Sequence, residues 1–139
     1  ANFTVALLKQ AVEDIKAPIA CNQIEYHVML DQTKVMAYMA GKSIPLVAYC
    51  PLAQGRAASD ETLIAIGRKH QASPAQVALK WLLDQKGVAA IPKAARKESQ
   101  QANLDALKLQ LDDEDRRTIA ALPKDKRFVS PAFAPDWDR

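Results

Sequence analysis

Apolar residues recur along this chain at two different periods, and the two alternate. Val5, Leu8, Ala11, Val12 and Ile15 follow Thr4 at helical spacing, which predicts an amphipathic helix from Thr4, its N-cap, to about Ala17, closed by Pro18. Ile19 to Ile24 is a short apolar run ending in amides. It reads as a strand that delivers Asn22 and Gln23 to an edge, with Glu25, Tyr26 and His27 in the loop beyond. Asp31 can cap a second helix, with Val35, Tyr38 and Met39 inward and Gly41 as its stop. Ile44 to Tyr49 is apolar almost throughout, as in a strand covered on both sides, and Cys50 to Arg56 is the loop after it. Ser59 or Asp60 caps a helix through His70. Ser73, Pro74 and Gln76 make a capping box with proline at the first position of a helix to Gln85, whose inner face carries Val77, Ala78, Trp81 and Leu82.

The last third opens with Val88 to Ile91, another buried strand, ended by Pro92, which cannot donate to a sheet ladder. A polar helix, Lys97 to Leu104, and a last helix, Asp113 to Leu122 capped by Asp112, follow. From Pro123 on, prolines and aromatics alternate with charges, so an irregular tail packed on the surface is expected. Strands alternate with helices, hence a parallel sheet. Three strands cannot close a barrel, which takes eight strands and about 250 residues. The expected fold is therefore α/β, the last part of a (β/α)8 TIM barrel. Residues 1–139 would be the C-terminal portion of one barrel domain, with the N-terminal portion absent.

Composition narrows the function. The 139 residues carry a net charge of only +3 with both signs mixed, which argues against a nucleic-acid protein and fits a small anionic ligand. No apolar run nears the roughly 20 residues of a membrane span, and no signal peptide is evident. Cys21 and Cys50 form no metal motif and read as reduced core fillers, so a cytoplasmic location is expected. No glycine-rich dinucleotide fingerprint and no P-loop occurs. No acid–base pair, metal pair or complete catalytic constellation emerges from the residues.

The chemistry gathers where the strands end. Lys93 and Arg96 stand between the third strand and a helix start, where two cations, free N–H groups and the positive end of the dipole suit a phosphate. A solvated basic turn is the plain alternative. At the other strand ends lie Asn2, Asn22, Gln23, Glu25 and Tyr49. A planar ring bearing an amide, stacked on Tyr49 with a distant phosphate on Lys93 and Arg96, would use them all. That description fits a nicotinamide dinucleotide.

These residues also carry a family resemblance. Asn2-Phe3, NQIEYH at Asn22 to His27, VAYCPL at Val47 to Leu52, SPAQVALKWLL at Ser73 to Leu83, IPKA at Ile91 to Ala94, LDDED at Leu111 to Asp115 and PDWD at Pro135 to Asp138 resemble the aldo-keto reductases, the bacterial 2,5-diketo-D-gluconate reductase-like members above all. The likeness runs from end to end. It implies a (β/α)8 barrel that binds NADPH across its carboxyl-end face and reduces aldehydes or ketones, of which this chain would carry strands six to eight with their helices. It implies that Asn2 and Gln23 hold the nicotinamide carboxamide, that Tyr49 stacks on the ring, and that Pro51, Leu52, Gln54 and Gly55 pass over the pyrophosphate. Lys93, Ala94 and Arg96 then surround the 2′-phosphate, and Asn103 meets adenine. Ser99 stands where the family often has Arg, Ala102 where it often has Glu, and Ala1 where it usually has Ser. The first two departures weaken the adenine end and bear on the choice between NADPH and NADH.

The family's catalytic Tyr, Lys, Asp and His lie on earlier strands, so no catalytic residue is assigned here, His27 included, and no metal ligand. The intact protein is expected to be a monomer acting on a small carbonyl compound, with no nucleic-acid or membrane partner. Two other classes compete: a non-catalytic nucleotide-binding barrel that senses redox state through a partner, and a domain that associates through exposed strand edges.

Overall fold

The computed structural model describes residues 1–138. Three short parallel strands, β1 (Asn22–Glu25), β2 (Leu46–Tyr49) and β3 (Val88–Ala90), form one sheet in the order β1-β2-β3. Asn22 pairs with Leu46 and Leu46 with Val88; Gln23 pairs with Val47 and Val47 with Ala89; Glu25 pairs with Tyr49. Side chains alternate faces along a strand. Asn22, Ile24, Leu46, Ala48, Val88 and Ala90 therefore share one face, and Gln23, Glu25, Val47, Tyr49 and Ala89 the other.

The first face is the core. Ile24, Leu46 and Ala48 pack with Leu8 of α1 (Val5–Lys9), Val35 and Met39 of α2 (Thr33–Gly41) and Leu82 of α4 (Pro74–Leu83). Each fully buried leucine here contributes about 1.5–3 kcal/mol. A second cluster joins Val28 and Leu63 and Ile66 of α3 (Glu61–Lys69) to Val77 and Ala78 of α4, Leu111, and Ile119 of α6 (Asp113–Ala120). Trp81 is half-buried and packs against both clusters. The second face is half open: Glu25 is buried, Gln23, Val47 and Tyr49 are partly exposed and Ala89 is exposed. The expectation of a β2 strand covered on both sides is corrected accordingly.

Thr4, Asp60, Ser73 and Asp112 cap their helices as the sequence predicts; Asp31 does not, because the N-cap of α2 is Gln32, and Asp31 accepts the Thr33 N–H from one position earlier. Ser73 with Gln76, and Asp112 with Asp115, each form a reciprocal capping box, and Asp60 caps α3. The first helix departs from expectation. After Lys9 it continues as a π-helical turn, Gln10–Asp14, with the Ile15 N–H donating to the Gln10 carbonyl. The wider turn shifts the phase of the apolar stripe, so Ile15 is 67% exposed instead of facing inward. Lys16 at φ 61° ends the segment. β1 starts only at Asn22, later than the apolar run, so Cys21 lies exposed outside the sheet and is not a core filler.

Gly67 on α3 has a steric reason to be glycine. A Cβ there would lie 2.6 Å from the Ala72 carbonyl oxygen, where the chain turns into α4. Gly67→Ala is expected to cost about 1–3 kcal/mol, seen as a lower midpoint in thermal circular dichroism; an unchanged midpoint would contradict that close approach.

Among the described residues, no helix is long and apolar enough to cross a membrane. Lys69, His70, Asp112 and Asp115 form a helix-linking ion cluster. The Lys69 ammonium lies 2.6 Å from Asp112 and 2.9 Å from Asp115, and His70 Nε2 lies 2.6 Å from Asp115. A protein cation thus already neutralises this acidic group.

Candidate functional site

The parallel sheet brings the carboxyl ends of all three strands to one rim. Asn2, with φ 61°, an angle that asparagine tolerates, donates its backbone N–H to the Gln23 carbonyl at 2.8 Å and so adjoins β1. The Tyr49 hydroxyl donates to Asn2 Oδ1 at 2.9 Å. Asn2, Gln23 and Tyr49 are therefore brought together, each partly exposed. Burial, then the nearby Glu25 carboxylate, holds the Tyr49 phenol above its ordinary pKa, so it stays neutral. Asn22 is different. It points to the opposite face, where its side chain accepts from the Phe3 N–H and donates to the Phe3 carbonyl, so it is a buried brace for the preceding segment and not a rim group.

The loop after β2 is strained. Cys50, Ala53 and Gln54 have φ of 48°, 51° and 54°, and Gly55 has φ 90°. Left-handed backbone costs a non-glycine residue roughly 1–2 kcal/mol, and such strain persists where surrounding contacts enforce it. Pro51 and Ala53 are buried, Leu52 packs on the second core cluster, and Gln54 and Gly55 are exposed. Pro51 and Leu52 thus form the seat of the loop, while Gln54 and Gly55 present its backbone. Their non-helical angles sit inside a short 3-10 segment, Ala53–Ser59.

Beyond β3, Lys93 and Arg96 are exposed and Ala94 partly so. Arg96 occupies the N-cap of α5 (Lys97–Asp105), and its side chain makes no capping hydrogen bond. The first N–H groups of that helix thus lack a side-chain cap, and two exposed cations flank the helix start in sequence, a setting that suits an anion. Asn103 lies half-buried on the same helix, Ser99 and Ala102 likewise.

From the sequence, Glu25 is expected in the loop after the first strand, among the polar groups at the strand ends. The structure makes it the last residue of β1, fully buried. Its Oε1 accepts from the Phe128 N–H at 2.8 Å and lies 3.0 Å from His27 Nε2; its Oε2 accepts from the Val129 N–H at 2.9 Å. The Met29 N–H donates to His27 Nδ1, so the neutral imidazole carries its proton on Nε2 and donates it to Glu25. Burial alone would push the Glu25 pKa up; the His27 and tail hydrogen bonds outweigh it and hold the carboxyl below its ordinary range. Arg127, largely buried, reaches within 3.9 Å of Glu25 and lies with its guanidinium 3.9 Å from the Trp137 ring centroid. An acid directly after an apolar strand is the only sequence signal that pointed here.

The tail is irregular and surface-packed as expected, and Glu25 ties it to the rim. Farther on, Asp138 Oδ2 accepts the Val5 N–H at 2.9 Å, and the Trp137 indole donates to Ser130 Oγ at 3.1 Å. Phe133, between these ties, is 89% exposed.

With this geometry in view, comparison with known proteins is decisive. The model of the aldo/keto reductase family matches residues 1–124. The chain belongs to the aldo-keto reductase family. It is 42% identical over 139 residues to methylglyoxal reductase DkgB of Escherichia coli, covering 99% of this chain and 52% of that protein. It is 39% identical over 126 residues to glyoxal reductase of Bacillus subtilis, covering 91% and 45% respectively. The crystal structure of a presumptive 2,5-diketo-D-gluconic acid reductase B superposes with a TM-score of 0.94 at 35% identity, over 99% of this chain and 50% of that one. A variant of Gox0644 in complex with NADPH superposes at 0.85 with 32% identity, covering 93% and 48%. This aldo-keto reductase chain thus spans about half the length of the relatives it matches.

Proposed function

We propose that this chain is the cofactor-holding part of an NADPH-dependent aldo-keto reductase, strands six to eight of its (β/α)8 barrel, in a protein that reduces small aldehydes or ketones. The observation that carries the reading is the meeting of Asn2, Gln23 and Tyr49 on the rim that also carries the exposed Lys93 and Arg96. The donor set fits the cofactor. Two side-chain amides can pair with a carboxamide, which offers one acceptor and two donors. A neutral aromatic ring beside them offers a stacking face. The loop backbone at Gln54 and Gly55 can follow a pyrophosphate, Lys93 and Arg96 can neutralise a ribose 2′-phosphate, and Asn103 can meet adenine.

When bound, the cofactor supplies the hydride. This chain's own residues hold and orient it. Asn2 and Gln23 fix which face of the ring is presented, Tyr49 covers the other face, and the cations grip the far end so that binding energy is spent on position. Ser99 and Ala102 leave the adenine end with fewer polar contacts. Catalytic proton donation belongs to residues outside this chain, and the substrates in the relatives' names, glyoxal and methylglyoxal, set the class of small carbonyl to try first.

Two experiments test this. Titration with NADPH, followed by tryptophan fluorescence, is expected to saturate, and Tyr49→Ala is expected to raise Kd about five- to tenfold through loss of stacking, worth about 1–1.5 kcal/mol. An unchanged Kd would remove Tyr49 from the site. The isolated chain is expected to give no NADPH-dependent reduction of methylglyoxal; measurable turnover by a purified preparation would contradict the division of roles.

A further inference from the structure

Among the contacts that link the tail to the rim and its loop, three share one phenylalanine. The backbone of Phe128 is held by the buried Glu25 carboxylate at 2.8 Å. Its ring meets the His27 imidazole, centroids 5.3 Å apart. The Arg56 guanidinium lies 4.1 Å from the same ring's centroid. That guanidinium also reaches back into the strained loop, 3.4 Å to the Ala53 carbonyl and 3.3 Å to Gln54 Oε1. Arg56 therefore touches both the loop after β2 and the tail, while Glu25 fixes the tail to the end of β1.

We propose that Glu25 is a positioning residue that anchors the C-terminal segment over the rim, and that Arg56 couples that segment to the cofactor loop, so that cofactor binding and tail docking reinforce each other. This rests on reading the loop as part of the NADPH site. The physical route is short. Ligand phosphates that order the backbone at Gln54 and Gly55 restrict Arg56 through its bonds to Ala53 and Gln54. A restricted guanidinium holds the Phe128 ring more of the time. The tail amides then stay longer on Glu25. Coupling is reciprocal, so loosening the tail at Glu25 must weaken cofactor binding although Glu25 is fully buried and outside the cofactor-contacting set.

Hydrogen exchange at the Phe128 and Val129 amides, with and without saturating NADPH, reads both halves. In the native chain these amides are expected to be protected, and NADPH is expected to slow them further, about threefold or more. Glu25→Gln keeps the shape but places a donor against donors. It should speed both amides about tenfold without ligand and raise the NADPH Kd about fivefold, the low end of ordinary coupling. Arg56→Ala alters an exposed residue and leaves the Glu25 bonds in place. It should keep the basal protection and lose the NADPH-induced part. Full NADPH-induced slowing in Arg56→Ala would overturn the coupling while leaving the cofactor reading intact. Unchanged basal exchange and unchanged NADPH affinity in Glu25→Gln would overturn the anchor. No NADPH binding by the native chain would overturn the cofactor reading, and the coupling with it, while the basal exchange of Glu25→Gln still decides the anchor.

Discussion

Glu25→Ala is expected to be the most damaging single change in this chain, costing about 3–5 kcal/mol, as when one partner of a buried ionic network is removed. The carboxylate satisfies two tail amides and the His27 N–H and faces the Arg127 guanidinium. Truncation strands all of these in a site closed to water, where each unpaired group carries its own desolvation cost. Urea unfolding should show a lower midpoint. The pH dependence has a defined sign. Glu25 is held below its ordinary range in the fold. Its contribution is therefore fully present above the unfolded carboxyl value of about 4.3 and is lost as pH falls below that through the folded value. The gap between native and variant should be widest near pH 7 and shrink in acid. A gap that is absent, or constant down to pH 3, would contradict the network.

Arg96→Ala is expected to raise the Kd for NADPH at least about tenfold, since a hydrogen bond to a charged group is worth about 1.5–3 kcal/mol. NADH, which has a 2′-hydroxyl in place of the phosphate, should bind the variant almost as it binds the native chain. The exposed position makes the contact salt-sensitive. The NADPH preference should thus decline with ionic strength in the native chain and be small throughout in the variant. Equal losses for the two cofactors would mean that Arg96 supports α5 rather than the phosphate.

Much of this arrangement was legible in the residues. The parallel sheet followed from short apolar runs separated by helical periods, and the capping box at Ser73 and the cap at Asp112 followed from side-chain type and spacing, though the return bond from Asp115 did not. Lys93 and Arg96 could be placed because Pro92 fixes where β3 must stop. What escaped depends on contacts distant in sequence or on an extra residue in a turn. The π turn at Gln10–Asp14 moves Ile15 off the core stripe, which a strict helical period cannot foresee. Asn22 and Gln23, adjacent amides, are both expected at the strand edge, yet strand alternation sends them to opposite faces and only Gln23 reaches the rim. Glu25 finds its partners 103 and 104 residues away, in a tail with no periodicity of its own. Arg56 likewise meets Phe128, 72 residues on, only in the fold.

The central claim, that the rim formed by these three strand ends holds one extended dinucleotide, is tested most directly by titrating NADPH into the isotopically labelled chain and following its amide resonances. Saturable shifts are expected at Asn2, Gln23, Tyr49 to Gly55 and Lys93 to Asn103 with a single Kd. Binding that moves only one of these groups, or moves residues at the opposite end of the sheet such as Ile44 and Gly87, would contradict it.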